Sequence, residues 1–171
     1  MKKLLYMIFA LALTCNLSAC GGHDIVDPPT EQPGNNNGEN RETPNPSENI
    51  ENMKLKITIG DREITATFVN NETAKDFASL LPLTVNLNDY ASTEKVFDLS
   101  RKLSTTGAPA GVDPEPGDIT YYSPWGNIAI FYRDFGYSNG LVKIARIDSG
   151  IEVLQVPGSI NNVKFELIEK D

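Results

Sequence analysis

Residues 53–68, MKLKITIGDREITATF, carry the pattern that indicates the fold class. Each half alternates apolar residues with polar ones, which is the period of a strand with one buried face. The apolar positions are Leu55, Ile57 and Ile59 in the first half, and Ile64, Ala66 and Phe68 in the second. Gly60 and Asp61 separate the halves. Because a glycine can adopt the positive φ that opens a tight hairpin turn, we predict a β-hairpin that turns at these two residues.

The alternation of apolar and polar residues returns along the rest of the chain. The later apolar positions are Leu83, Val85 and Leu87, then Ile128, Ile130 and Tyr132, then Val163, Phe165 and Leu167. The strand around Ile130 is apolar on both faces, because Ala129 and Phe131 fill its other side. A strand of this kind is typical of the centre of a sheet covered on both sides.

One segment has the period of a helix instead. Its apolar residues fall at i, i+3, i+4 and i+7, and they are Ala74, Phe77, Ala78 and Leu81. Asn70 and Asn71 offer N-caps, and Pro82 ends the helix. The segment around Leu154 stays open between a second short helix and an irregular turn. Strands separated by turn residues, with one or two short helices, predict a mainly β fold and a small antiparallel barrel.

Several short strings in this region resemble a family of bacterial cyclophilin-like domains. They are NETAKDF at 71–77 with LPLT at 81–84, EKVFDL at 94–99, GDI at 117–119 and IFY at 130–132. Their order and spacing extend over residues 53–168, which is nearly the whole predicted domain. The resemblance implies a closed antiparallel cyclophilin-like β-barrel of eight strands with two helices. It also implies a family whose members largely have no established activity.

The N-terminal residues form a targeting segment. Lys2 and Lys3 precede ten apolar residues at 4–13, which suit a signal peptide, whereas a membrane span needs about 20. LSAC at 17–20 places small residues before Cys20, as in bacterial lipoproteins. We predict a lipoprotein signal peptide over 1–19 and acylation of Cys20, which anchors the chain to a membrane. An ordinary secretory signal is the alternative. Gly21, where inner-membrane retention usually needs Asp, favours the outer membrane, facing the periplasm or the outside.

Residues 20–52 read as a lipidated Cys followed by a disordered acidic tether. Residues 21–52 hold seven acidic side chains, one basic side chain, five prolines and no aromatic residue. A segment so polar cannot bury enough apolar surface to offset the conformational entropy that it would lose on folding, so we predict that it is disordered. The folded domain is therefore predicted at 53–171. The whole chain carries 23 Asp and Glu against 15 Lys and Arg, which argues against nucleic acid as a partner.

The composition also restricts the chemistry. One His and two Cys in the whole chain argue against a His-based metal site, a zinc ribbon or a disulfide framework, and we predict no metal and no cofactor. GYSNG at 136–140 fits G-x-S-x-G, the pattern around the nucleophilic serine of many hydrolases. That serine needs a His as its base, and the only His of the chain, His23, lies in the tether. FYR at 131–133 resembles the Phe-His-Arg run that the resemblance implies for active cyclophilins, with Tyr for His, and no Gln-Gly-Asp follows. We therefore predict no catalytic residue.

The remaining candidate site is a cluster of aromatic and charged side chains. The predicted ligand groove consists of Glu94, Tyr122, Trp125, Tyr132, Arg133 and Tyr137. The alternative is that these rings fill the barrel core and cap its end. We predict a membrane-anchored lipoprotein whose non-catalytic domain binds a small ligand, a glycan or a protein partner. A peptidyl-prolyl isomerase-type enzyme and a structural accessory of an outer-membrane complex are the alternatives.

Overall fold

The computed structural model describes residues 50–170. The predicted signal peptide, Cys20 and the tether as far as residue 49 lie outside the described residues. The strands are β1 Met53–Ile59, β2 Arg62–Phe68, β3 Leu83–Tyr90, β4 Glu94–Asp98, β5 Gly111–Val112, β6 Asp118–Tyr122, β7 Asn127–Phe131, β8 Ser138–Asn139, β9 Leu141–Ile147 and β10 Ile160–Glu169. The helix α1 spans Glu72–Ala78, and 3₁₀ turns occupy Ile50–Asn52 and Ile151–Leu154.

Eight of the strands close into an antiparallel barrel in the order β1-β10-β3-β4-β7-β6-β9-β2. The short strands β5 and β8 pair separately as a two-stranded sheet. The mainly β closed barrel is therefore confirmed. The segment around Leu154, which the sequence left open, is a 3₁₀ turn, so the described residues contain one short α-helix.

The first hairpin forms where the alternation places it. Ile59 pairs with Arg62, which leaves Gly60 and Asp61 as a two-residue turn. Gly60 has φ +57°, the positive value that a turn of this length requires at its first position. The apolar side chains Leu55, Ile57 and Ala66 are buried in the barrel core.

The helix α1 begins as predicted, but it ends at Ala78, and Leu81, predicted to lie on it, follows in a turn where its N–H donates to the Ala78 carbonyl at 3.2 Å. The side chain of Asn71 caps it by accepting a hydrogen bond from the backbone N–H of Ala74 at 2.8 Å. Asn71 also donates to the carbonyl of Lys143 at 2.8 Å, which joins the cap to β9. Phe77 is fully buried in the barrel core, so the apolar face of the helix covers the barrel.

The folded part begins slightly before the predicted boundary. Ile50 is buried in the core, and Asn70 donates a hydrogen bond to the Glu51 carboxylate at 2.5 Å. The residues 50–52 therefore belong to the barrel domain rather than to the tether. No helix within residues 50–170 has the length and apolar character needed to cross a membrane.

The strand β7 separates two apolar layers. All five of its residues are buried. Ile128 and Ile130 belong to the barrel core, whereas Ala129 and Phe131 form a second cluster with Leu141 of β9. Because neighbouring side chains of a strand point to opposite faces, the second cluster lies on the outer face of the barrel. The prediction of a central strand that is apolar on both faces is confirmed.

Candidate functional site

A cavity of about 180 Å³ opens over the second apolar cluster, on the outer face of β4, β7, β6 and β9; we call it the outer-face cavity. Five aromatic side chains line it: Tyr90, Tyr122, Trp125, Phe131 and Phe135. The other lining residues are Glu94, Asn127, Ala129, Ser138 and Leu141. The cavity is therefore mostly aromatic, with few polar groups, which is the usual composition of a ligand site.

The rings next to Trp125 are nearly perpendicular to it rather than stacked on it. The ring of Trp125 is nearly perpendicular to that of Tyr90, at 81° with centroids 6.0 Å apart, and to that of Tyr122, at 77° and 5.4 Å. The rings of Phe131 and Phe135 are tilted by 40° to each other, with centroids 5.4 Å apart. Trp125 keeps 64% of its surface exposed and Phe135 keeps 52%. These two rings form an exposed apolar rim that a ligand would cover.

Glu94 places one carboxyl group among these rings. As the first residue of β4, it pairs with Tyr90 of β3 on one side and with Phe131 of β7 on the other. Within residues 50–170 no side chain forms an ion pair with it and no group donates a hydrogen bond to it. Burial raises the pKa of Glu94 to about 7, because the charged form loses water without gaining a partner. The carboxyl group therefore changes charge near neutral pH.

Asn127 contributes a second polar group without a partner. Its side chain is only 5% exposed, and its Oδ1 atom accepts no hydrogen bond from the described residues. An unpaired buried acceptor costs about 1–3 kcal/mol of stability. A ligand that donates a hydrogen bond would recover that cost.

The structure brings together three of the six predicted groove residues and separates the other three. Glu94, Tyr122 and Trp125 line the outer-face cavity. Arg133 is exposed outside it, with its guanidinium 5.9 Å from the ring of Tyr132. Tyr137 is exposed and does not line the cavity.

Tyr132 has a structural position instead. It shares the inward face of Ile130 and is buried, and its hydroxyl donates to the Asp89 carboxylate at 2.8 Å. Burial and the nearby Asp89 raise the pKa of Tyr132 to about 12. Asp89 also accepts from Lys95, whose fully buried ammonium donates at 2.7 Å to Asp89 and Gly158 and at 2.5 Å to Val156. This network holds Tyr132 inside the barrel, so it does not line the outer-face cavity.

Sequence reasoning missed several cavity residues. Tyr90 lies opposite Glu94 because the intervening loop has three residues, a register that the alternation alone does not give. Asn127 had a visible signal, since it is the polar first residue of an otherwise apolar strand. Within residues 50–170 no three His, Cys, Asp or Glu side chains lie close enough together to hold a metal ion.

The close approach of β5 to β8 gives a test of how the cavity wall is held. A methyl group added at Gly111 would overlap the backbone carbonyl of Ser138, a residue that lines the cavity. Gly111→Ala is expected to lower the free energy of unfolding by about 1–3 kcal/mol in urea denaturation, since backbone must move. Gly136→Ala, with open space around the new methyl group, is the control and is expected to change it little. Equal effects of the two variants would contradict this account.

Comparisons with known proteins support the fold. A hypothetical protein from Archaeoglobus fulgidus, solved in solution, has a similar structure with a TM-score of 0.54 and 21% sequence identity. The similarity covers 70% of this chain and 97% of that chain. At this identity the likeness shows the fold alone. The search of curated proteins gives no match.

The sequence itself matches a family model. The model of the Cyclophilin-like family matches residues 57–166, from β1 into β10. This range contains the complete outer-face cavity and the network around Lys95. Since the match extends over more than half of the chain, this protein belongs to the Cyclophilin-like family.

Proposed function

We propose that this protein is a membrane-anchored lipoprotein whose cyclophilin-like barrel binds a ligand in the outer-face cavity without acting on it chemically. One observation carries the proposal. The cavity holds assembled aromatic walls together with two polar groups, Glu94 and Asn127, that lack partners among the described residues. Such groups cost stability, and a ligand that satisfies them gives a reason for their presence.

The chemistry of the cavity supports binding rather than catalysis. Ser138 is the one hydroxyl nucleophile besides tyrosine in the lining, and the domain contains no His that could activate it. Arg133, the residue that the resemblance to active cyclophilins would place in a catalytic groove, is exposed outside the cavity. The lining therefore offers shape, apolar surface and one titratable carboxyl group.

The size of the cavity limits what can enter it. About 180 Å³ is below the roughly 300–1,000 Å³ of sites that take drug-sized molecules. The group that enters is therefore no larger than a side chain or a small headgroup. The exposed rings of Trp125 and Phe135 would contact whatever extends from the opening.

Ligand binding can be tested with the only tryptophan of the chain as the reporter. A chain of residues 21–171 retains every barrel strand, and Trp125 fluorescence follows its titration with glycans, proline peptides, amines and carboxylates. For a compound that binds, Phe135→Ala is expected to weaken affinity at least fivefold, because the Phe135 ring lies at the opening of the cavity. This change corresponds to about 1 kcal/mol of binding free energy. Tyr137→Ala, an equally exposed ring two residues away but outside the cavity, is the matched control. Catalysed isomerisation of a proline peptide that Arg133→Ala abolishes would instead favour the enzyme alternative.

Membrane anchoring is proposed from the sequence alone, since LSAC at 17–20 ends on the cysteine that lipoproteins acylate. Two or more acyl chains hold a protein stably at a membrane. In cells fed labelled palmitate, the wild-type chain is expected to carry label and fractionate with the outer membrane. Cys20→Ala is expected to lose both properties, whereas Cys15→Ala is expected to keep them. Membrane fractionation of unlabelled Cys20→Ala would contradict the anchor.

A further inference from the structure

We propose that the outer-face cavity binds a protonated amine on a short apolar chain, with the ammonium group between Glu94 and the rings of Trp125 and Tyr90. The inference rests on the proposed function, because it names the chemical class of the ligand for that site. Three features of the cavity carry it: its charge, its aromatic rings and its size.

The one charged side chain in the lining of the cavity is acidic. Glu94 is the single charged residue among the ten that line the cavity, and the other titratable groups that face it are the hydroxyls of Tyr90 and Tyr122. Lys95, its neighbour in sequence, points into the barrel and is held by Asp89. A half-buried carboxylate without a partner is costly, and a cationic ligand would supply the partner. A carboxylate or phosphate ligand would add a second negative charge in the same place.

The aromatic rings of the lining add a second attraction for a cation. A cation is attracted to the face of an aromatic ring within about 6 Å of its centroid, and Trp is the strongest partner. Trp125 stands nearly perpendicular to both Tyr90 and Tyr122, so these rings form adjacent walls around one space. A neutral apolar ligand would use the same walls but would leave Glu94 uncompensated.

The size of the cavity favours a single ammonium group on a short chain. Asn127, the other lining residue without a partner among the described residues, lies four residues along β7 from Phe131, the partner of Glu94, so an ammonium group at Glu94 does not reach its amide. The small volume of the cavity suits a chain of a few carbons.

The ionisation of Glu94 supports this choice. Burial raises the pKa of its carboxyl group to about 7, and only the ionised form attracts an ammonium ion. Alkylamines stay protonated well above that pH, as the reference value of about 10.4 for Lys indicates. The affinity for an alkylammonium ion should therefore rise about tenfold between pH 6 and pH 8, with release of a proton on binding.

The test compares three probes of nearly equal size and shape: butylammonium, butanol and butyrate. They are titrated onto the chain of residues 21–171, with the indole N–H signal of Trp125 followed by NMR. Butylammonium is expected to shift this signal at millimolar concentration, with butanol at least tenfold weaker and butyrate weaker still. Glu94→Gln is expected to weaken butylammonium at least tenfold and to remove the pH dependence, whereas Asp134→Asn, an exposed carboxylate in the neighbouring loop, leaves both unchanged.

The possible results separate the inference from the proposed function. Equal or tighter binding of butanol or butyrate would overturn the amine inference and leave ligand binding standing. Unchanged butylammonium affinity in folded Glu94→Gln would overturn it too. If none of the three probes and no compound of the wider panel shifts the Trp125 signal, the proposed function itself fails.

Discussion

Lys95→Met is expected to lower the free energy of unfolding of this domain by about 3 kcal/mol, because it breaks a buried ion pair from one side. The Lys95 side chain is fully buried, and its ammonium group has three hydrogen-bond acceptors: the Asp89 carboxylate and the carbonyls of Val156 and Gly158. Methionine keeps the apolar stem but removes the ammonium group that donates to all three acceptors. The loss should appear in urea denaturation followed by circular dichroism at pH 7.

Lys164→Met is the matched control, since its ion pair with Glu166 is on the surface and its side chain is 49% exposed. It is expected to change the free energy of unfolding by less than about 1 kcal/mol.

The network around Lys95 also predicts that the stability of the domain falls under acidic conditions. The hydrogen bond from Lys95 lowers the pKa of Asp89 below 3.8, so its contribution is complete above that pH and is lost as the pH falls through the folded-state value. A loss of stability in Lys95→Met as small as that in Lys164→Met would contradict the stabilising role of this network.

Glu94→Gln is expected to act in the opposite direction and to stabilise the domain at pH 8. Burial raises the pKa of Glu94 from 4.5 to about 7, so the folded protein holds this proton after the unfolded chain has lost it. Stability therefore falls as the pH rises from about 4.5 to about 7, where the folded state takes on the buried charge. With allowance for solvent screening of a half-buried group, the variant should gain about 1–2 kcal/mol at pH 8 and little at pH 4.

The measurement is urea denaturation of the wild type and the variant at several pH values between 4 and 8. Glu63→Gln, an exposed carboxyl group on β2, is the control and should show no such pH-dependent gain. Destabilisation of Glu94→Gln at pH 8 would mean that the carboxylate has a stabilising partner. Together with weaker amine binding by the same variant, a gain would show that this side chain serves binding at the expense of stability.

The fold was predictable where local rules are strong. Alternation identified the β1–β2 hairpin and the two-faced β7, and the spacing around Phe77 with the cap at Asn71 identified α1. Each signal depends on residues close together in sequence. Barrel closure joins β1 to β10, more than one hundred residues apart, and was implied only by the resemblance to the family.

The site was predictable in part, for a physical reason. A strand that is apolar on both faces does not reveal which face is inside, so Tyr132 was assigned to the groove although it shares the face of Ile130. The position of Tyr90 depends on a three-residue loop in which Ala91 and Ser92 have positive φ, and neither residue is one that usually marks such a turn. The buried Lys95 depends on carbonyls about sixty residues further along the chain, which no local pattern can show.

The buried start of the barrel has a mechanical consequence. Ile50 is held in the core, and the strand that follows it, β1, is hydrogen-bonded along its length to β2 on one side and to β10 on the other. A pull on the N-terminal side of the domain would load these two ladders together, so the hydrogen bonds of both would resist the removal of β1. A barrel entered in this way can bear tension that is applied through its N-terminal side.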